Sequence, residues 1–277
     1  MGTIVHLSDL HFGRVDPRLI GALIEAIDAV APDLVAVSGD LTQRARRGQF
    51  RQARSFLDRL TCPRLVVPGN HDVPLFNLAL RLLDPYRGYR RHIQQDLEPA
   101  FENERMIAVG LNSARAFPFH GGGRLSLSQV TRAAARLQAA GAHKTKIVVT
   151  HHPFDVPTTH GHEHLVGRSD MAMHHLAAAG ADVFLAGHLH VSHVGHSTQR
   201  YRIAGHSALI VQAGTMSTRT RGEPSTMNVL HVAPGQIEIA RHAWDAASQS
   251  FPVTWNDTFR RTDLGWVQSP GGTKLEH

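Results

Sequence analysis

Leu65-Val66-Val67-Pro68-Gly69-Asn70-His71-Asp72 passes from a short apolar run straight into four residues that break and decorate a strand end. The run has the length and character of a buried strand, and Pro68-Gly69 stops it. A carboxamide and an imidazole then stand side by side, where together they can ligate a metal and touch a substrate. Four other stretches repeat the layout: Asp9-Leu10-His11, Gly39-Asp40, His151-His152-Pro153 and Gly187-His188-Leu189-His190. Each follows an apolar, strand-like run directly, so polar residues from five strand ends are expected to meet in one place.

Outward from that centre, the N-terminal half alternates strands with helices. Residues 3–8, 34–38 and 65–67 read as strands. Asp16-Pro17 offers an N-cap followed by a proline suited to the first helical turn. Leu19, Ile20, Leu23, Ile24, Ile27 and Val30 then recur at helical spacing, and residues 48–60 repeat the pattern with Phe50, Ala53, Phe56 and Leu57. A strand-helix-strand-helix-strand order favours parallel pairing with helical crossovers. Residues 75–83 and 171–179 read as short helices, and Ser126 with Gln129 forms a capping-box signature for a helix through 140. Residues 106–112, 146–150 and 182–186 read as further strands. Beyond His190 the strands 191–194, 208–213, 227–232, 237–242 and 253–259 follow one another without long helices, which predicts an antiparallel or mixed sheet. The fold class expected is α/β: a mixed two-sheet β-sandwich flanked by helices. Residues 1–268 are expected to form one domain, with residues 86–105 as an insert that caps the site or makes a dimer contact. Residues 269–277 read as an unstructured tail whose Leu275-Glu276-His277 ending resembles the start of an affinity tag.

Composition narrows the classes. No apolar run approaches the roughly 20 residues of a membrane helix, so no membrane partner is expected. The first residues lack the basic and apolar regions of a secretory signal, which makes a cytoplasmic location the default. Cys62 is the sole cysteine, so an internal disulfide and a thiolate metal cage are both excluded. Any metal must be held by oxygen and nitrogen. The net charge of +6 gathers in two places, Arg44 to Arg54 and Arg219-Thr220-Arg221. A solvated helix face is the plainer meaning of the first cluster and a phosphate-attracting rim the sharper one. Nucleic acid is an open partner that nothing favours, because no stacking platform accompanies the charge.

Taken singly, each polar residue has an ordinary reading. Asp40 can cap a helix, Asn70 can occupy a left-handed turn, and Asp72 can cap as well. Asp9 and His11 lie two apart, so on an extended backbone both side chains leave the same side. His188 and His190 share that spacing, whereas His152 alternates away from His151 and reads as structural. Gly39 permits a tight turn that brings backbone close to an ion, and the Asp40 carboxylate can bridge two cations with one oxygen on each. His160 and His162, in the polar segment after His151, and Arg219 and Arg221 are candidates for substrate contact.

The order Asp-x-His, Gly-Asp, Gly-Asn-His-Asp, His and Gly-His-x-His, spread over residues 9–190, resembles the calcineurin-like metallophosphoesterase superfamily. Within it the chain looks most like the bacterial class III cyclic-nucleotide phosphodiesterase group, which the segment from Gly214 to Glu223 also resembles. The resemblance implies a four-layer αββα fold with the site at the strand ends. It assigns Asp9, His11, Asp40 and His190 to one metal and Asp40, Asn70, His151 and His188 to a second. It makes His71 the residue that contacts phosphate and protonates the leaving oxygen.

The implied cofactors are two divalent or mixed-valence ions, with Mn, Fe or Zn ahead of Co or Ni; an oxygen and nitrogen set alone does not choose among them. The implied reaction is hydrolysis of a small phosphoester by in-line attack of a hydroxide held between the ions. Two divalent ions against two carboxylates and a hydroxide leave a charge near +1, which matches a diester monoanion such as a cyclic nucleotide or glycerophosphodiester. Nuclease or phosphomonoesterase activity at the same site is the alternative reading. A metal-bearing interaction module without catalysis is a third, and the intact ligand set argues against it.

Overall fold

The computed structural model describes residues 1–117, 122–157, 161–201, 203 and 206–269. In chain order the strands and helices are β1 (Gly2–Leu7), α1 (Pro17–Val30), β2 (Leu34–Val37), α2 (Arg47–Leu57), β3 (Arg64–Val66), α3 (Leu78–Leu83) and α4 (Arg87–His92). There follow β4 (Ala100–Glu102), β5 (Met106–Gly110), α5 (Leu127–Ala139), β6 (Thr145–Val149), α6 (Ser169–Ala178), β7 (Val183–Ala186) and β8 (His193–His196). The chain closes with β9 (Leu209–Gln212), β10 (Thr226–Ala233), β11 (Gln236–Ala243), β12 (Val253–Thr262) and β13 (Gly265–Gln268).

Local chemistry accounts for the helices. Asp16 accepts from the Arg18 backbone N–H, Pro17 occupies the first turn, and α1 buries Leu19, Leu23, Ile24 and Ile27. Helix α2 buries the four residues its spacing singled out. Ser126 and Gln129 form the reciprocal capping box at the start of α5, which satisfies two backbone N–H groups left over at a helix end.

Two mixed sheets result. The first has the order β13-β12-β11-β10-β1-β2-β3 and the second β4-β5-β6-β7-β9-β8. Strands β1, β2 and β3 are parallel, as are β5, β6, β7 and β9. The strands after His190 do not form a sheet of their own. Strands β8 and β9 complete the second sheet, while β10 pairs antiparallel with β1 and carries β11 to β13 into the first. Residues 86–105 lie along the sheet edges. Tyr89 of α4 is fully buried with its hydroxyl donating to the Val66 carbonyl at 2.9 Å, and β4 pairs with β5.

Alternation within each strand builds the layers. Ile4, Leu34, Ala36 and Leu65 point between the sheets against Ile147, Val183, Leu185 and Leu209. Val5, Val35, Val37 and Val66 point the other way, under α1 and α2. Val148, Phe184 and Ile210 pack under α5 and α6. Strands buried on both faces explain why the sequence shows continuous apolar runs. The architecture is the four-layer αββα sandwich, and the loops leaving the carboxyl ends of β1, β2, β3, β6 and β7 open at one end of it.

Candidate metal centre

Those five loops carry the predicted residues, and they deliver them by an unexpected backbone. Asp9 and His11 are not extended: their φ angles are 54° and 44°. Asp40, His188 and His190 are also left-handed, at 52°, 74° and 61°. Side chains two apart converge here because each residue turns the chain, not because a strand alternates. Neighbouring loops hold the turns in place. The Asp9 and His11 N–H groups donate to the Gly39 and Asp40 carbonyls at 3.1 and 2.9 Å. Gly39 has a φ of +96°, and a Cβ there would meet the His151 ring at 2.7 Å.

Asp40 sits between two groups of donors. Its Oδ1 accepts from the His71 backbone N–H at 2.8 Å and lies 3.5 Å from His151 Nε2. Its Oδ2 lies 3.6 Å from His11 Nε2. Asp9 Oδ2 accepts from the Ser8 hydroxyl at 2.6 Å and the His188 N–H at 2.9 Å. Asp9 Oδ1 is buried without a hydrogen bond, 3.2 Å from His190 Nε2 and 3.5 Å from His11 Nε2.

The carbonyls behind the rings set their tautomers. His151 Nδ1–H donates to the Ser38 carbonyl and His190 Nδ1–H to the Arg219 carbonyl, both at 2.8 Å. A ring that keeps its proton on Nδ1 in this way turns the Nε2 lone pair inward. His151 Nε2 faces Asn70 Oδ1 at 2.9 Å, and His190 Nε2 faces His11 Nε2 at 3.0 Å. Lone pairs and an unbonded carboxylate oxygen pointed at common centres fit cations. Asp9, His11 and His190 have donor atoms close enough to share one ion, as do Asp9, Asp40 and His151. His188 groups with His151 and also with His152, whose ring is 4.5 Å from it. His152 itself bonds the Ser113 hydroxyl at 2.9 Å.

Electrostatics agree with a cation site. Burial pushes the Asp9 carboxyl up, but the facing His11 and His190 rings hold it well below the usual range. Burial likewise opposes ionisation of Asp40, and the surrounding histidines, His151 first, outweigh it. Burial, reinforced by His152 and His151, holds His188 far below its ordinary value and so neutral.

Above this floor is a cleft of about 120 Å³ whose lining includes Asn70, His71, His164, Arg219 and Arg221. His71 Nδ1–H donates to the Gln43 carbonyl at 2.8 Å, which leaves Nε2 facing the cleft. Arg219 reaches in from the segment after β9, its Nη1 3.2 Å from His71 Nε2 and 3.3 Å from His11 Nε2. Arg221 is exposed on the rim. His160 lies outside the described residues, as does the side chain of His162, although the His162–His164 turn is in place. His164, which had no assigned role, borders the cleft with its ring 5.9 Å from His188. Arg44 was also missed. It belongs to a charge run whose other members face water, yet its Nη1 lies 3.2 Å from His71 Nδ1. Its position four residues after Asp40 was the available signal.

The sequence model of the calcineurin-like phosphoesterase family matches residues 2–192. Among curated proteins, a glycerophosphodiester phosphodiesterase of Enterobacter lignolyticus is 32% identical over 162 residues, 54% of this chain and 56% of that protein. A probable cyclic nucleotide phosphodiesterase of Synechococcus is 25% identical over 161 residues, 54% of this chain and 58% of that one. The chain thus spans little more than half the length of the curated relatives it matches. Among solved structures, a purple acid phosphatase from yellow lupin superposes with a TM-score of 0.72 at 12% identity, covering 95% of this chain and 55% of its own. A dimetal phosphatase from Danio rerio gives 0.64 at 12% identity, covering 91% and 98%. Matched over its first seven strands, its six helices and the five strand-end loops of the centre, the chain belongs to the calcineurin-like phosphoesterase family.

Proposed function

We propose that this chain hydrolyses phosphodiesters at a two-cation centre. The observation that carries the reading is Asp40, whose two oxygens each face a different imidazole group. Asp9, His11, Asp40 and His190 would hold one ion, and Asp40, Asn70, His151 and His188 the other. Once bound, the cations would activate a water as nucleophile and offset the charge gathering on the phosphoryl group. The donor set is oxygen and nitrogen throughout, which suits Mn, Fe or Zn, with Co and Ni also accommodated. Cys62 takes no part, since it lines a groove with Ile27 and Asp28 under the end of α1.

The remaining work falls to residues of the cleft. Arg219 presents a half-buried guanidinium to the position a phosphoryl oxygen would take, and Arg221 adds charge at the rim. His71 is held by Gln43 so that Nε2 meets the leaving oxygen. Burial lowers its pKa, so the resting ring is neutral; the proton it delivers must be taken up at Nε2 with an anionic substrate in place. Arg219 also changes the charge argument, because its positive charge lets the site accept dianions as well as monoanions. Preference for diesters is therefore supported chiefly by the two curated relatives, both named as phosphodiesterases.

The test is hydrolysis of bis(p-nitrophenyl) phosphate against p-nitrophenyl phosphate by protein reconstituted with each candidate metal. Faster turnover of the diester is expected. A clear monoester preference would overturn the diesterase reading, and no metal-dependent turnover of either would remove the catalytic one.

A further inference from the structure

The segment that follows His71 folds with its polarity reversed. In α3 the charged residue takes the inner side: Arg81 is 4% exposed, its Nε donating to the Ala116 carbonyl at 2.6 Å and its Nη1 to the Pro74 carbonyl at 2.8 Å. The apolar residues take the outer side. Phe76 is 76% exposed, Leu82 62% and Leu83 86%, with Leu75 and Leu78 beside them. The bond to Ala116 brings the exposed Phe117 to the same region. Solvated leucines set by an inward arginine are not the residue of a core that ran short of space; a patch of this kind marks a surface that something apolar covers.

Charge indicates what covers it. Three residues separate α3 from α4, which exposes Arg87 and Arg91. It packs on α2 with His92 stacked on Phe50, and Arg91, Arg47 and Arg51 crowd around that imidazole. Of the nearby carboxylates, Asp58 and Asp84 are engaged by Arg54 and Arg90, and Asp96 sets one negative charge against Arg47, Arg51, Arg87 and Arg91. An apolar ridge beside a net positive cluster is complementary to a surface that is apolar within and anionic at its face. A second copy of the chain is a poorer fit, since a twofold contact through this face would set arginines against their own counterparts.

We propose that α3, its approach through Leu75 and Phe76, and the arginines of α2 and α4 dock this protein on an anionic phospholipid bilayer. The leucines and Phe76 enter the headgroup layer while Arg47, Arg51, Arg87 and Arg91 meet lipid phosphates. The proposed contact is with the membrane surface; no helix among the described residues is long and apolar enough to cross a bilayer. Three residues, Asp72 to Pro74, separate His71 from Leu75 where the ridge begins, so docking would hold the catalytic cleft close to the lipid surface.

Sedimentation of the full chain with vesicles tests the proposal independently of catalysis. The chain is expected to bind vesicles of mixed phosphatidylcholine and phosphatidylglycerol, and to bind phosphatidylcholine alone at least tenfold less, on the order of two unscreened charges. The double variants Phe76→Ser/Leu83→Ser and Arg47→Glu/Arg91→Glu should each lower binding about tenfold or more, as expected from one large apolar side chain or a reversed charge pair. Their melting temperatures and turnover of a soluble p-nitrophenyl ester should stay as in the parent protein. Equal binding by parent and variants, or no binding at all, would overturn the proposal. So would a parent dimer that Phe76→Ser/Leu83→Ser converts to monomer, which would make the face a contact between copies.

Discussion

Asp9, His11, Asp40, His188 and His190 each hold a left-handed backbone, a conformation that costs a residue with a Cβ about 1–2 kcal/mol. Strain gathered on the proposed ligands fits positions selected for where they aim a side chain rather than for stability. His71 differs, because its role is in turnover. His71→Ala should retain both ions and slow turnover roughly a hundredfold or more; elemental analysis and steady-state kinetics on the same sample check it, and full activity would contradict it. His6, on β1 three residues before Asp9, bears on stability instead. It is fully buried against the Ser38 hydroxyl, and burial, only partly opposed by Asp9, lowers its pKa from 6.5 to about 3. Below pH 6.5 the unfolded chain therefore binds a proton that the folded chain refuses. Stability should fall as pH drops from 6.5 toward 3, with this residue adding up to about 1.4 kcal/mol per pH unit. Urea unfolding of His6→Asn across that range should give a shallower loss than the parent protein; identical slopes would contradict the assignment.

Elements with a clear period were legible before any coordinates. The spacing of Leu19, Leu23 and Ile27 specified α1, and Ser126 with Gln129 fixed the start of α5. Strands β4 and β13, of three and four residues, are too short for a period to register and lack the unbroken apolar run that marks the equally short β2 and β3. The pairing of β10 with β1 joins segments more than 200 residues apart, which local pattern does not encode. The left-handed turns were hidden for a related reason, since neighbouring loops impose them on residues with no preference for them. Arg44 is visible in the sequence only as a member of a charge run, and contact with His71 separates it from its neighbours; Arg219 is a sequence candidate beside Arg221, and contact with His71 and His11 sets it apart. Loop packing is tightest at Gly69, where a Cβ would lie 2.1 Å from Asp40 Oδ1. Asp72 locks the same loop by accepting from the Gly69, Leu41 and Thr42 N–H groups. Gly69→Ala should thus displace Asp40, lower stability by about 1–3 kcal/mol and reduce bound metal. Thermal unfolding with metal analysis checks this, and parental values for both would contradict it.

At the scale of the whole molecule, the centre belongs to neither sheet alone. The first sheet's loops bring Asp9, His11, Asp40, Asn70 and His71, and the second sheet's loops bring His151, His188 and His190. The apolar layer between the sheets therefore sets the distance between the two halves of the site. Ions shared across that boundary should bind the folded chain and not the unfolded one, so they would stabilise the packing that assembles them. Asp40 is the residue common to both proposed ion positions, and it offers the most direct test. Metal content should be measured after reconstitution for the parent chain and for Asp40→Ala. About two ions per parent chain are expected, with most of both lost in the variant. One ion or none in the parent, or both retained without Asp40, would contradict a shared two-cation centre.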